Sequence, residues 1–403
     1  MPEALRGGPA KWTVRRMRLF PIASLVLLSA CTASRVALPP PTGEEVTVFI
    51  HGYRGSFLAT AEGERERAWV SVGDVLTRGE RSLALPFPGQ RAAPGFGPLE
   101  ADGPVTRFTV LPWVARYDVY KGFLEFGRER LPGFVVFDYD WRQDNRVTAK
   151  RLCALLDSLA EARGGRVKVN LVAHSMGGLV TLHCLRYGTG DDTGEPTWAG
   201  ARHVKRVVFL GTPFRGAPGM FDDFTLGTPV GRNRALLSPE ALFTFASAFH
   251  LLPAQSDFFV DASGQPVTFD AYRPDAWVEG GWGVFQDPAV QPLPAYRQWL
   301  ERMLAARSEL ARALSENDGP PPPFRTLAVV GVGHPLIKSF RIIGGKPTFE
   351  DPVLADGDGS VLTARALPPQ PLHVDRLETR ADHVAMMGDA EVQEAVARFV
   401  TGD

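Results

Sequence analysis

A serine, a carboxylate and a histidine occur in this chain in an order that suits nucleophilic acyl chemistry. Ser175 lies in Ala173-His174-Ser175-Met176-Gly177-Gly178. A β-branched apolar run ends at Ala173, and a helix-periodic run opens at Gly178. The serine therefore occupies a sharp strand-to-helix turn, the context of a nucleophile elbow. Such a turn needs small neighbours, and Ala173 stands where the first glycine of G-x-S-x-G is usual. A serine hydroxyl attacks carbonyls only when a base takes its proton and a third group orients that base. On strand–turn–helix elbows the partners follow in the order Ser, Asp or Glu, His. Asp356-Gly357-Asp358-Gly359-Ser360-Val361 follows one expected strand, and Ala381-Asp382-His383 follows the last. Asp358 is the expected orienting carboxylate, with Asp356 as the alternative. His383 is the expected base, with His334 as the alternative. His373 enters a strand and reads as structural. His174 is turned away by the elbow and reads as buried and hydrogen-bonded.

The oxyanion of an acyl-transfer intermediate needs two backbone donors. One is expected from Met176, the residue after the nucleophile. The other is expected from Tyr53, in the loop His51-Gly52-Tyr53-Arg54-Gly55 that follows the first strand. Asp356-Gly357-Asp358-Gly359 also looks like the start of a calcium loop, but its twelfth position is Leu367, not an acid. No metal, nucleotide or flavin signature occurs, so no cofactor is expected.

These residues need a scaffold whose strands end near one another. Strand-like runs at 46–50, 133–138, 167–173, 204–210, 326–332 and 372–377 alternate with helix-like runs at 147–162, 178–187 and 389–400, the pattern of an α/β fold with a mostly parallel sheet. Residues 44–212 and 324–403 form its two parts. Residues 213–323 are rich in Phe and Trp and read as an inserted cap, and 56–116 is a second insertion. With 44 basic against 45 acidic residues there is no cationic excess to neutralise phosphates, so no nucleic-acid partner is expected. No protein partner is indicated. No apolar stretch outside the N-terminus is long enough to span a bilayer, which excludes a polytopic membrane protein.

Residues 1–30 read as a signal peptide: a basic region with Lys11, Arg15, Arg16 and Arg18, then a short apolar run ending Leu28-Ser29-Ala30-Cys31. These last residues resemble the lipobox of bacterial lipoproteins, which implies a lipidated Cys31, membrane association through it, and a lipid-anchored place in the cell envelope. Residues 31–43, with Pro39-Pro40-Pro41, form the tether. Removing residues 1–30 leaves more acidic than basic residues, so attachment would rest on acyl chains. Cys153 and Cys184 fall in apolar helical patterns; two buried thiols are expected, with a disulfide in an oxidising compartment as the alternative.

Taken together the residues resemble the α/β-hydrolase superfamily, and within it the lecithin–cholesterol and phospholipid–diacylglycerol acyltransferase group of lipases. Tyr139-Asp140-Trp141-Arg142, the elbow, Leu210-Gly211-Thr212-Pro213-Phe214, the segment Ser247-Ala248-Phe249-His250-Leu251-Leu252-Pro253 and Gly357-Asp358-Gly359-Ser360-Val361 carry the likeness, over about 44–400. There are departures. His51-Gly52-Tyr53 is closer to bacterial lipases, Ser360 stands where Thr is common, and the group's N-terminal lid disulfide has no counterpart. The resemblance implies a lipid or ester substrate, cleaved by a lipase or phospholipase or passed on by an acyltransferase. A small-ester carboxylesterase or thioesterase, and a non-catalytic lipid-binding lipoprotein, are the other readings.

Overall fold

Short β-branched runs build the middle layer of the molecule. The computed structural model describes residues 43–71, 79–91, 95–111, 115–317 and 319–402. Six strands, β1 (Glu45–Ile50), β2 (Val135–Phe137), β3 (Lys168–His174), β4 (Val204–Leu210), β5 (Arg325–Gly331) and β6 (Val374–Thr379), form one sheet in the order β6-β5-β4-β3-β1-β2. Every neighbouring pair runs parallel. A parallel sheet is covered on both faces, so its inner strands are apolar along their whole length. β1, β3, β4 and β5 accordingly bury every residue but one. β6 is an edge, and its Asp375, Arg376 and Glu378 are exposed charges that discourage pairing with another chain.

Six helices of eight residues or more are described: α1 (Lys121–Arg130), α2 (Asn145–Glu161), α3 (Gly177–Tyr187), α4 (Gly219–Leu226), α5 (Pro294–Ala313) and α6 (Ala390–Thr401). Alternation along the strands decides which helices each residue meets. Val48, Ile50, Leu171, Val207 and Phe209 share a cluster with Leu152 and Leu156 of α2 and Leu182 of α3. Phe49, Val172, Val208, Leu210 and Val329 share the other cluster with Phe123 of α1 and Val396 of α6. Asp144 caps α2, its carboxylate accepting the Arg146 N–H at 2.8 Å. All eleven residues of α3 are buried, and its His183 and Arg186 side chains are partnered: His183 bonds Asp192 at 3.0 Å and Arg186 donates to the Ala313 carbonyl at 2.7 Å.

Cys153 on α2 and Cys184 on α3 form a disulfide with Cα atoms 5.6 Å apart. This corrects the preferred expectation of two buried thiols in favour of its alternative. The spacing that drives each side chain into the core says nothing about how the two helices are set against each other, and that packing brings the sulfurs together. The bridged residues are 31 apart in sequence, for which loop-closure entropy gives a stabilisation of about 3–4 kcal/mol. The Cys153→Ala/Cys184→Ala protein is expected to melt several degrees below wild type. Equal melting temperatures by calorimetry would refute that.

Residues 213–323 connect β4 to β5 and hold an aromatic core. The Phe221 ring of α4 lies 5.9 Å from Phe258, 5.7 Å from Trp277 and 5.0 Å from Trp282, in edge-to-face contacts. These rings merge with the cluster under the sheet. Arg307 of α5 stacks on Tyr272 at 3.6 Å and donates to the carbonyls of Pro253 and Ala254, and the Tyr272 hydroxyl donates to Pro253 at 2.6 Å. The Leu251-Leu252-Pro253 turn is thus tied down by a buried guanidinium.

Between β5 and the Asp358 loop stands a hairpin, Leu336–Ile343 with Lys346–Ala355, that the strand patterns above do not include. Residues 1–42, on which the expected signal peptide, Cys31 and most of the expected tether fall, lie outside the described residues. Among the described residues no helix is long and apolar enough to cross a membrane.

Candidate active site

The sheet register sets the carboxyl ends of its strands level: Ile50 pairs with Ala173, His174 with Leu210, Leu210 with Val329, and Gly331 with Thr379. Loops leaving those ends converge, the usual place for a site on an open α/β sheet. Ser175 follows β3 directly, with φ +55°, a left-handed conformation uncommon for a side-chain-bearing residue. Its N–H donates to the Leu210 carbonyl at 2.8 Å, and its own carbonyl accepts the Gly178 N–H at 2.9 Å, so the turn is held from both sides.

Three side chains form a hydrogen-bonded line there. Ser175 Oγ lies 2.9 Å from His383 Nε2, and His383 Nδ1 lies 2.7 Å from Asp358 Oδ2. The second carboxylate oxygen accepts the N–H groups of Ser360 at 2.9 Å and Val361 at 2.6 Å. Burial alone would push the Asp358 carboxyl up. The His383 imidazole and the two backbone donors outweigh it and hold the group below the usual carboxylate range. An ionised Asp358 makes Nδ1 of His383 the protonated nitrogen and leaves the Nε2 lone pair facing the serine hydroxyl. The main chain adds a further tie, the His383 N–H donating to the Asp358 carbonyl at 2.8 Å.

Of the alternatives, Asp356 is exposed and accepts the Gly333 N–H at 2.7 Å, away from the imidazole. His334 donates from Nε2 to the Arg380 carbonyl at 2.7 Å and makes no bond to Ser175. His373 is exposed. His174 is 3% exposed, and burial, helped by the neighbouring His383, pushes its imidazole down to about 3.

The loop after β1 presses on the nucleophile. A Cβ placed on Gly52 would sit 2.7 Å from Ser175 Cβ and 3.2 Å from its Oγ, so only glycine fits. Tyr53 and Met176 flank this contact, and neither N–H has a hydrogen-bond partner among the described residues. The loop is pinned all round. Tyr120 Oη accepts the Gly52 N–H at 3.0 Å, the Tyr139 hydroxyl donates to the His51 carbonyl at 2.7 Å, and Trp69 Nε1 donates to the Arg54 carbonyl at 3.2 Å. Trp141 packs edge-on against Tyr53 at 5.1 Å. Arg54 reaches Thr228 at 3.0 Å and Asp223 at 3.6 Å, joining the loop to the 213–323 segment. Arg142 pairs with Asp140 at 2.7 Å while fully buried, which steadies the Tyr-Asp-Trp-Arg string under the site. Tyr120, Trp69, Asp223 and Thr228 carry no motif and were not singled out by the sequence reading.

Gly211, after β4, takes φ +56°, and a Cβ there would fall 2.9 Å from Asp358 Oδ2 and 3.0 Å from His383 Nδ1. Gly211→Ala is therefore expected to split the carboxylate–imidazole pair and lower turnover by roughly 100-fold. It should also cost about 1–2 kcal/mol in backbone strain. Wild-type rates in the variant would contradict the packing described.

The buried histidines give a sign to acid sensitivity. His174 is held neutral down to about 3 and His250, also by burial, down to about 4, against an ordinary value of 6.5. The unfolded chain binds protons at these sites first, so stability is full above about pH 6.5 and falls as pH drops toward those folded values. The loss is at most about 1.4 kcal/mol per pH unit for each ring. The depressed Asp358 carboxyl acts in the same direction at lower pH. Melting temperatures are expected to decline from about pH 6.5 downward. A flat profile to pH 4 would sink this prediction.

Comparison with known proteins agrees with the architecture. Residues 91–269 match the family model described as Lecithin:cholesterol acyltransferase, a segment that contains Ser175 and stops short of Asp358 and His383. An uncharacterized protein of Saccharomyces cerevisiae, YJR098C, is 25% identical over 57% of this chain and 32% of its own length. Phospholipase A(1) LCAT3 of Arabidopsis thaliana is 35% identical over 22% of this chain and 19% of its own. The chain thus spans a third or less of the curated relatives it matches. Among solved structures, a chain from the Tle4–Tli4 complex aligns over 90% of this chain and 99% of its own, with a TM-score of 0.58 and 15% identity, a likeness of fold. The protein has the α/β-hydrolase fold, with a segment similar to the lecithin:cholesterol acyltransferase family.

Proposed function

We propose that the protein is a serine-dependent lipid ester hydrolase or acyltransferase that works through an acyl-enzyme on Ser175. One observation carries the reading: the line Ser175 Oγ, His383, Asp358 at 2.9 and 2.7 Å, at the end of a strand that turns with a left-handed serine. In this reading Ser175 attacks the ester carbonyl as His383 Nε2 takes its proton, while Asp358 holds the ring and stabilises the imidazolium. The N–H groups of Met176 and Tyr53 receive the oxyanion. His383 then protonates the leaving alcohol, and water or a lipid alcohol deacylates the serine by the same route. No step calls for a cofactor.

Lipid as the substrate class is supported by the acyltransferase-like segment 91–269 and by the aromatic surroundings of residues 213–323, which we read as a cap. The reading includes an exported protein held in the envelope by a lipidated Cys31, which would keep the enzyme beside its substrate. Rates on long-chain phospholipid or glyceride, on short soluble esters, and with a lipid alcohol added as acceptor test the reading. Preference for the long-chain ester is expected. Preference for short esters would favour a small-ester carboxylesterase, and turnover of neither would end the enzymatic reading.

A further inference from the structure

Tyr120 and His174 take no part in the proton transfers above, yet both are buried beside them, at 1% and 3% exposure. Tyr120 immediately precedes α1, and His174 is the last residue of β3. Three hydrogen bonds link them, one to each other and two to the site, and chemistry fixes the direction of each. A carbonyl only accepts, so His174 Nε2 carries the proton and donates to the main-chain oxygen of His383 at 2.9 Å. The neutral ring then has its lone pair on Nδ1, which accepts the Tyr120 hydroxyl at 2.8 Å. With its proton committed there, the phenol oxygen accepts the Gly52 N–H at 3.0 Å. The relay runs from the loop after β1, behind the nucleophile, to the loop after β6. It complements the bond from the His383 N–H to the Asp358 carbonyl. Both peptide groups flanking the His383 side chain are thereby held.

We propose that Tyr120 and His174 are positioning residues that hold the His383 main chain and the His51–Gly52 peptide, one residue before the Tyr53 N–H, in one frame, so that base and oxyanion donor keep their spacing through turnover. This rests on the esterase reading of Ser175. The role is separable from packing. The Tyr120 ring meets Phe49 edge-on at 5.2 Å, a contact phenylalanine would keep, whereas the hydroxyl serves the two polar bonds.

Tyr120→Phe tests it directly in the full chain. The variant is expected to melt within a few degrees of wild type, with kcat lowered roughly 10- to 100-fold and KM within about twofold. Acylation of Ser175 by a fluorophosphonate probe should slow by the same factor. His174→Gln, whose amide offers one donor and one acceptor, should retain more activity than His174→Leu, the two being compared as folded proteins. Nitrogen-15 spectra should show the wild-type His174 ring in its Nε2–H tautomer. If wild-type Ser175 does not react with the probe, the esterase reading fails and this inference with it. If wild type reacts but Tyr120→Phe matches it in kcat and acylation rate, the esterase reading stands and the positioning role is overturned. Equal activity of His174→Gln and His174→Leu, or an Nδ1–H tautomer, would overturn it as well.

Discussion

Replacing Ser175 by alanine is expected to lower turnover of a long-chain ester by roughly a million-fold, to the residue of catalysis that substrate binding and oxyanion donors supply without a nucleophile. The structure makes this loss separable from unfolding. Alanine inherits the same left-handed φ of +55°, and the Oγ gives up a single bond, the one to His383 at 2.9 Å. The N–H bond to Leu210 and the carbonyl bond from Gly178 belong to the main chain and stay. Initial rates beside a thermal melt check the prediction. A variant with wild-type melting and more than a small fraction of wild-type rate would place the chemistry elsewhere in the molecule.

Asp358→Asn comes second, with an expected loss of about 10⁴-fold in kcat. Its cause is the tautomer of the base. Asp358 Oδ1 accepts the N–H groups of both Ser360 and Val361, so the asparagine oxygen must occupy that position. The amide NH₂ then faces His383 Nδ1 at the place where a carboxylate oxygen stood at 2.7 Å. Two donors cannot share that contact, so the ring moves its proton to Nε2 and presents N–H, not a lone pair, to Ser175. The variant should fold, bind substrate with little change in KM, and recover rate as pH rises and hydroxide substitutes for the base. A loss under tenfold would mean that the carboxylate does not set the state of His383.

The residues of the candidate site were legible because a parallel sheet places its functional loops at consecutive strand ends, and each such end leaves a local mark. The apolar runs that read as strands before Ser175, Asp358 and His383, at 167–173, 326–332 and 372–377, agree with β3, β5 and β6 to within one or two residues. Ser175 follows β3 directly and His383 comes four residues after β6, while the hairpin separates β5 from Asp358. Asp358 was separable from Asp356 by the Val361 step that carries the chain back into the core, where Val361 is now 3% exposed and donates to the carboxylate. What escaped reading depends on packing between segments. Tyr120 joins the site across 54 residues to His174 and 68 to Gly52, and nothing near it in sequence marks a polar partner. The Cys153–Cys184 bridge needs the relative placement of α2 and α3. The hairpin after β5 did leave a signal, Gly344-Gly345, with φ of +60° and +80° as a tight two-residue turn requires. Its strands are mostly half-buried or exposed and charged, so no apolar run announced them.

The central claim is that Ser175 is a nucleophile activated by His383. Incubating the folded protein with a fluorophosphonate and locating the adduct by peptide mass spectrometry addresses it most directly, with Ser175→Ala and Asp358→Asn alongside and detergent present in a parallel arm to admit the probe. The account predicts one adduct, on Ser175, absent from Ser175→Ala and formed far more slowly in Asp358→Asn. An adduct on another residue, or none on folded wild-type protein with detergent present, would contradict it and leave a lipid-binding protein on a hydrolase scaffold as the reading to pursue.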